Sequence, residues 1–225
     1  MRISYELHKN QHFLLEIYGV NDNNSQMQNF TSIYPVKWRS AQILAQGASH
    51  MTTTYLRQAK AADLPAIMQI IAEAKAYLKQ QKVDQWQHGY PEQNDMATDV
   101  AAGLNYVMLR DGVIVGTASL LQGIDDNYKV IEQGSWLGAA DQTYTSIHRI
   151  AVAAGYRGQH LSETLITNLL TLSVQLGYTD VRIDTHPENV GMQHVIKQNG
   201  FDYRGIIYMH EPKEPRYAYQ LQLND

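Results

Sequence analysis

Hydrophobic and polar positions between residues 51 and 225 alternate in a way that predicts strands and helices in turn. TTYLRQA has the composition of a short strand. A set of apolar residues then recurs at the spacing of one helix face: Leu64, Ile67, Met68, Ile71 and Leu78. Asp63 stands before this set as a capping residue, and Pro65 lies in the first turn, where its missing N–H needs no partner. The pattern predicts a strand followed by a long helix.

The next part of the chain predicts a second helix and a hairpin. After the polar loop QWQHGYPEQND, a helix is expected over about residues 95–103. In NYVMLRDGVIVGTASLL, Asp111 and Gly112 separate two apolar runs and are typical of a two-residue hairpin turn. TSIHRIAV comes after a less regular linker and predicts another strand.

The last third predicts two more helices among strands. A helix over about residues 160–176 carries a leucine stripe and ends before Gly177. TDVRIDTH predicts a strand, and ENVGMQHVIKQNG a helix that ends at Gly200. RGIIYM and RYAYQLQL predict an antiparallel pair around HEPKEP. The order β-α-α-β-β-β-α-β-α-β-β indicates a mixed α/β domain over residues 51–225.

Residues 1–50 differ from the rest and are treated as an N-terminal extension. ISYEL and HFLLEIYGV suggest short strands on either side of polar residues. QGASHM, just before residue 51, resembles the remnant of an expression vector, with Met51 as the native start. The alternative is a genuine small β extension, and the functional argument therefore begins at Met51.

Composition narrows the functional class. The 225 residues, 44% of them hydrophobic, suffice for a proper core, whereas a net charge of -4 and a pI near 6.1 argue against a nucleic-acid-binding protein. The chain has no cysteine, which excludes disulfides, thiolate metal sites and a cysteine nucleophile. No apolar run in the sequence approaches the roughly 18 residues of a membrane span, and the N-terminus lacks the order of a signal peptide. We therefore expect a cytoplasmic protein that does not bind membranes.

The stretch AGYRGQHLS, residues 154–162, joins a strand pattern to a helix pattern. The first N–H groups of a helix lack internal partners and carry the positive end of its dipole, so such a turn suits an anion. Arg157 and Gly158 add a charged group and room for close approach. An ordinary loop with an exposed arginine is the alternative. The same tripeptide at residues 203–205 runs into a strand and offers no helix N-terminus.

The turn at 154–162 and the segments beyond it resemble the coenzyme-binding core of the GNAT N-acetyltransferase family. RIAVAAGYRGQHLSETLI matches the family's strand, its R/Q-x-x-G-x-G/A turn and its helix. Asn189 comes after a later strand, and Gly200 and Phe201 come after it at the family's spacing. TTYLRQAKAADLPAIMQI is similar to the family's first strand and helix. The resemblance covers about residues 51–223 and implies a mostly antiparallel central sheet flanked by helices.

The resemblance implies acetyl-coenzyme A as co-substrate, no metal, and a set of binding residues. The strand backbone of Ile150, Ala151 and Val152 would pair with the pantetheine arm, and Asn189 would bond near the thioester. The pyrophosphate would lie on the turn formed by Arg157, Gly158, Gln159, His160, Leu161 and Ser162. His160 and Ser162 depart from the family's Gly and Gly/Ala, and a histidine is strained if its position requires a positive φ.

His148 is the candidate general base. An alkyl ammonium must lose a proton before it attacks, and a histidine titrates close to neutral pH. Because side chains alternate along a strand, we expect Ser146, His148, Ile150 and Val152 on one face. By resemblance, that places His148 in the acceptor cleft, with the Val152 amide stabilising the oxyanion. A half-buried structural histidine is the alternative.

The general acid has no clear candidate. The family's usual tyrosine place, seven residues after Asn189, is Ile196 here. His194, Tyr203, Tyr208 or water are the substitutes considered. Because the chain has no cysteine, direct transfer in a ternary complex is preferred over an acyl-cysteine intermediate.

The loop QWQHGYP is expected to shape the acceptor pocket. Trp86 and Tyr90 would form an aromatic wall, with His88 as a polar contact, unless these aromatics only pin the loop to the core. The run from Asp184 to His186 is interpreted first as structural and second as a substrate contact, since no metal-ligand cluster or nucleophile motif accompanies it.

The leading hypothesis is an N-acetyltransferase for a primary amine of a small molecule, with a homodimer as an assembly known in the family. The first alternative, motivated by His160 and Ile196, is a catalytically idle coenzyme A-binding or regulatory module. The second is a plain α/β interaction protein in which Arg157 is merely exposed. The identity of the acceptor amine has no signal in the sequence.

Overall fold

A computed structural model describes residues 52–139, 141–209 and 213–223. Within them lie the helices α1 (Leu64–Gln80), α2 (Gln93–Ala101), α3 (Leu161–Gln175) and α4 (Val190–Gln198). The strands are β1 (Thr54–Gln58), β2 (Asn105–Arg110), β3 (Val113–Gly123), β4 (Tyr144–Val152), β5 (Asp180–Thr185), β6 (Asp202–Tyr208) and β7 (Pro215–Gln222). This order confirms the one predicted for the domain. The strands predicted before Met51 lie outside the described residues.

The seven strands form one sheet in the order β1-β2-β3-β4-β5-β7-β6. Every neighbouring pair is antiparallel except β4 and β5, which run parallel. The β2–β3 turn has Asp111 at φ 50° and Gly112 at φ 81°, the two positive φ values that the predicted hairpin turn requires. The mixed, mostly antiparallel sheet expected from the sequence is confirmed.

Apolar side chains cover both faces of this sheet. On one face, α3 and α4 pack over β4 and β5 through a cluster that includes Ile147, Leu165 and Ile183. On the other, α1 and α2 bury Ile67 and Met96, both fully inaccessible. Each such side chain contributes about 1.5–3 kcal/mol through burial. None of the helices in the described ranges has the length and apolar character needed to cross a bilayer.

Asp63 precedes α1 as predicted, but its carboxylate does not cap that helix. It accepts instead from the Lys60 N–H at 2.7 Å and from two nitrogens of Arg57 at 2.7 and 2.9 Å. The reason is that Asp63 ends the 3₁₀ turn Ala61–Asp63 and has helical φ and ψ, which direct its side chain back to the start of that turn. The carboxylate ties β1 to the beginning of α1.

The prediction that four residues of β4 share one face is wrong. The β3–β4 register shifts by one residue, with Ser119 opposite His148 but Thr117 opposite Ala151, and Arg149 takes φ 52°. This β-bulge interrupts the alternation of side chains. Ile150 and Val152 pack toward α3 and α4, whereas His148 stacks on Tyr128 outside that cluster. The inserted residue thus places His148 on the face opposite to theirs.

Candidate active site

A gap opens between the two parallel strands at the centre of the sheet. Pairing of β4 with β5 covers only Thr145–Ile147 opposite Val181–Ile183, although β4 continues to Val152. Parallel strands that separate in this way leave backbone groups of β4 without a partner strand. The opening lies on the carboxyl-terminal side of both strands, where α/β sheets bind their ligands.

The end of β4 directs specific backbone groups into this gap. The Ala153 N–H donates to Val115 O on β3 at 2.9 Å, and Ala151 pairs with Thr117 on the same strand. Because successive residues of a strand point their backbone groups to opposite edges, Ile150 and Val152 direct theirs toward the β5 side. An extended chain in the gap would meet these two residues first.

The turn after β4 ends at the N-terminus of α3. A 3₁₀ turn, Ala154–Tyr156, leads through Gly158 at φ 74° and His160 at φ 56° into the helix. His160 is the residue before the helix, and its side chain makes no capping hydrogen bond to the helix N–H groups. The first N–H groups of a helix lack intrahelical partners and are of the kind that can bind an external acceptor.

His160 has a left-handed backbone conformation, which a glycine takes without strain. For a residue with a Cβ atom this conformation costs on the order of 1–2 kcal/mol. Its imidazole is 85% exposed, and Nδ1 lies 3.1 Å from Oε1 of Glu163. The histidine side chain points to solvent.

Arg157 does not reach over the turn but packs onto α1. Its guanidinium lies 4.4 Å from the ring centre of Tyr77 and donates to the backbone oxygen of Glu73 at 3.1 Å. The Glu73 carboxylate accepts the Ala154 N–H at 2.7 Å, and this hydrogen bond is the main cause that lowers the pKa of Glu73. Arg157 thus braces the turn against α1, a role that the sequence pattern alone did not indicate.

His148 lies in a half-buried cluster on the face opposite α3. Its Nε2 is 3.2 Å from Oδ2 of Asp125, and the two side chains retain 11% and 12% of their surface. The imidazole stacks on the ring of Tyr128 at 5.8 Å, and the Tyr128 hydroxyl donates to Asp184 at 2.7 Å. Asp125 and Tyr128 come from the linker after β3, in which the sequence showed no motif.

Arg149, at the bulge, anchors β4 to α2. It donates a hydrogen bond to Oδ2 of Asp99, and the Ser119 hydroxyl donates to the same oxygen at 2.5 Å. Asn105 continues this buried network, since its Nδ2 donates to the Ser119 hydroxyl at 3.1 Å. The Arg149 guanidinium also lies 5.2 Å from the ring centre of Tyr90. The network holds the bulge that orients His148.

The two aromatic residues predicted for the acceptor wall have different environments. Trp86 packs against the core cluster between α1, α2 and the sheet, at a positive φ of 67°. Tyr90 is 37% exposed above Arg149, and burial of its ring raises the pKa of Tyr90 to about 12. Tyr90 is therefore protonated at neutral pH and able to donate a hydrogen bond.

His88 belongs to a small exposed cluster beside the same loop. Its Nε2 lies 3.0 Å from Oδ2 of Asp84 and 4.0 Å from Oε1 of Glu214. The three ligand-type atoms lie within 4.8 Å of one another. The hydrogen bond that His88 donates to the Asp84 carboxylate raises the pKa of His88. The sequence did not associate these residues, because Glu214 lies far from them along the chain.

Asn189 caps α4 and ties the loop that contains Gln85 to it. Its Oδ1 accepts the Met192 N–H at 3.1 Å, and its Nδ2 donates to Oε1 of Gln85 at 2.9 Å. Thr185 donates to the same Gln85 oxygen at 3.3 Å. One amide hydrogen and one lone pair of Asn189 are left over for a ligand.

The positions considered for a general acid are dispersed. Ile196 is fully buried in the core, His194 is exposed on α4, and Tyr203 is 45% exposed on β6. Tyr208 lines a groove at the end of β6. Of the Asp184–His186 run, Asp184 receives the Tyr128 hydroxyl, and burial together with the Arg216 charge lowers the pKa of His186.

The chain matches known acetyltransferases in sequence and in structure. A profile described as "Acetyltransferase (GNAT) family" matches residues 65–201. A GNAT-family acetyltransferase from Streptococcus agalactiae 2603 is 32% identical, with a TM-score of 0.70 over 76% of this chain and 96% of that one. No curated protein sequence matches the chain significantly.

More distant neighbours share the fold. A GNAT-family acetyltransferase from Listeria monocytogenes 4b F2365 is 21% identical, with a TM-score of 0.61 over 76% of this chain and 95% of that one. The ribosomal-protein-S18-alanine N-acetyltransferase from Escherichia coli is 16% identical, with a TM-score of 0.53 over 77% and 96%. With the profile match spanning more than half of the sequence, the chain belongs to the GNAT acetyltransferase family.

Proposed function

We propose that this protein is an acetyl-coenzyme A-dependent N-acetyltransferase for a primary amine of a small molecule. The observation that carries the proposal is the gap beyond Ile147 and Ile183, lined by the backbone of Ile150 and Val152 and ending at the α3 N-terminus. An extended thioester arm fits the strand edge, and a pyrophosphate fits the helix end. Family membership supports acetyl transfer as the reaction.

The coenzyme would bind mainly through backbone groups. The amides from Gly158 to Ser162 would hold the pyrophosphate, and Asn189, with a second amide hydrogen beside the one donated to Gln85, would bond near the thioester. Arg157 would contribute by holding the turn against α1, because its guanidinium contacts Tyr77 and Glu73. His160 takes a left-handed backbone conformation in this turn, at the cost of local strain.

In the reaction, His148 would take a proton from the acceptor ammonium. The freed amine nitrogen then attacks the acetyl carbonyl carbon, and the C–S bond breaks with its electron pair on sulfur. The nitrogen releases its second proton and the departing thiolate takes up a proton, so that the products are the amide, the thiol and one proton held by His148. The Val152 amide, directed into the gap, is the donor proposed for the oxyanion. Tyr90, over the acceptor side, is proposed to contact the amine substrate.

Coenzyme binding is tested by thermal unfolding with coenzyme A, with ATP as a ligand that lacks the pantetheine arm. At 100 times Kd, coenzyme A should add about 2.7 kcal/mol to the free energy of unfolding. Ser162→Glu should abolish this gain, because it puts a negative charge at the helix N-terminus where the pyrophosphate would lie. Thr171→Glu, exposed further along α3, is the matched control and should keep the gain.

Turnover is tested by thiol release from acetyl-coenzyme A across a panel of small amines. The panel includes a peptide with a free amino-terminal alanine, because one neighbour in fold acetylates an alanine of ribosomal protein S18. Coenzyme binding without thiol release for any amine would favour the alternative, an idle coenzyme-binding module. That alternative is motivated by Ile196, which is fully buried where the family usually has a tyrosine.

A further inference from the structure

The linker after β3 supplies an acidic residue to the candidate base. Asp125 Oδ2 lies 3.2 Å from Nε2 of His148, and both side chains are nearly nine-tenths buried. Nε2 is enclosed, and the N–H direction is not aligned with that oxygen in this structure. Catalytic contacts are often poorly aligned before the substrate binds. Asp125 is therefore the acceptor within reach of the buried nitrogen.

The carboxylate of Asp125 is held in place by its surroundings. Its Oδ1 accepts the Asn127 N–H at 2.9 Å and the Asn127 side-chain amide at 3.0 Å, which leaves Oδ2 for the imidazole. The backbone N–H of Asp125 donates to the Tyr144 hydroxyl at 2.8 Å. Burial would raise the pKa of Asp125, but the nearby His148 and the hydrogen bonds from Asn127 outweigh it and lower the pKa.

The other groups around the imidazole do not compete for Nε2. Tyr128 stacks on its face at 5.8 Å and donates its hydroxyl to Asp184 on β5. On β4 itself, the guanidinium of Arg149 is directed to Asp99 of α2. Ser119, opposite His148 on β3, also donates to Asp99. Among the described residues, Asp125 is the anion that lies within 4 Å of a ring nitrogen of His148.

We propose that Asp125 is a positioning residue that fixes the tautomer of His148. By accepting Nε2–H, the carboxylate leaves the lone pair of the neutral ring on Nδ1. Nδ1 then takes the proton from the acceptor ammonium, and Asp125 stabilises the imidazolium that forms. This role rests on the proposed acetyltransferase function, but the tautomer itself is measurable without turnover.

The tautomer is read by long-range ¹H–¹⁵N correlation spectra of the full chain with ¹⁵N-labelled histidines. The chain has nine histidines, and the signals lost in His148→Gln identify the relevant ring. We expect the neutral ring to carry its proton on Nε2. A ring protonated on Nδ1 in the unmodified protein would overturn the proposal without any variant of Asp125.

Asp125→Asn tests the role of the charge. We expect kcat to fall about 10- to 100-fold, less than the roughly 100- to 10,000-fold that general-base catalysis supplies, because Asp125 acts through His148, with KM for the amine changed less than about threefold. The acid limb of the pH–rate profile should move to lower pH, because the imidazolium loses its counter-charge. The Nδ1–H tautomer should also become populated, since an amide can donate to Nε2.

Asp126→Asn is the matched control. Asp126 is the next residue, its side chain is 72% exposed, and it pairs only with Lys129 at 2.5 Å among the described residues. This variant should keep the kcat, the pH profile and the tautomer of His148. Unchanged kcat and pH profile in Asp125→Asn would overturn the positioning role. If His148 carries its proton on Nε2 but the protein acetylates no amine, the result would support the role of Asp125 in fixing the tautomer and contradict the proposed function.

Discussion

Arg149 of β4 donates a hydrogen bond to Asp99 of α2, and the two side chains retain only 14% and 9% of their surface. Fifty residues of sequence separate them. Arg149 is also the residue of the β-bulge, at φ 52°, so its tie to α2 holds the backbone in a conformation that costs on the order of 1–2 kcal/mol for a non-glycine residue. The pair links the second helix to the strand that carries the candidate base.

Asp99→Ala should lower the free energy of unfolding by about 3–5 kcal/mol. It leaves the Arg149 charge and the Ser119 hydroxyl without their partner in a buried site. Ser119→Ala is the control and should cost about 1 kcal/mol, since the ion pair remains. Urea unfolding at pH 7 measures both. A loss of less than about 1 kcal/mol for Asp99→Ala would show that the pair does not hold the bulge.

His160→Gly should raise the free energy of unfolding by about 1 kcal/mol. Glycine adopts the φ of 56° found there without a Cβ clash, and this gain exceeds the added freedom of the unfolded chain. Ser162→Gly, inside the first turn of the helix, should instead cost about 1 kcal/mol. Equal destabilisation by the two glycines, measured by thermal unfolding, would mean that His160 carries no strain.

The ion pair between Arg57 and Asp63 should make stability depend on pH in the acid range. The hydrogen bond from Arg57 is the main cause that lowers the pKa of Asp63 in the folded protein. A depressed carboxyl pKa gives stability that is present above the unfolded value, about 3.9, and is lost as pH falls through the folded value. Asp63→Asn should therefore cost about 2 kcal/mol at pH 7 and progressively less below pH of about 4.

Asp202→Asn provides the comparison for Asp63. Asp202 is 76% exposed and pairs with Arg204 at 3.0 Å, so its removal should change stability by less than about 1 kcal/mol at either pH. Unfolding curves between pH 3 and pH 7 give both differences. A cost for Asp63→Asn that does not shrink on acidification would contradict the assigned role of its charge.

Substitution of Tyr90 and of Trp86 should have different effects, because Tyr90 is proposed to contact the substrate whereas Trp86 packs in the core. Tyr90→Ala is expected to raise KM for the amine with little loss of stability, because its side chain is 37% exposed at the acceptor loop. Trp86→Ala is expected to lower the free energy of unfolding, on the order of 3 kcal/mol, because its ring packs against the core. Amine kinetics and urea unfolding of both variants decide between these roles.

Tyr90→Phe removes the hydroxyl but keeps the ring, and therefore tests the hydroxyl alone. Because the pKa of Tyr90 is about 12, the group stays protonated between pH 6 and pH 9 and cannot act as a base there. The pH–rate profile of Tyr90→Phe should therefore keep the shape of the unmodified enzyme. If the pH–rate profile of Tyr90→Phe lacked one of its limbs, the hydroxyl of Tyr90 would have a role in proton transfer.

Much of the fold and part of the site depend on local patterns. The leucine stripe of α3, the hairpin turn at Asp111 and Gly112, and the strand-turn-helix order around Arg157 are properties of short stretches of chain. Their hydrophobic period and turn residues determine them without reference to distant parts of the protein. The family resemblance drew on these same stretches, and the family is confirmed.

The orientation of the candidate catalytic residues was decided only by tertiary structure. A single inserted residue at Arg149 reverses which side of the sheet the later side chains of β4 face, and the composition of β4 does not reveal it. Asp125 meets His148 across a linker with no motif, and Arg157 meets Tyr77 from a helix much earlier in the chain. Sequence by itself therefore determined the elements, their order and the strand-turn-helix arrangement before α3, because these depend on neighbouring residues. The direction of each functional side chain depends on the register of the strands and on distant charged partners, which exist only in the folded chain.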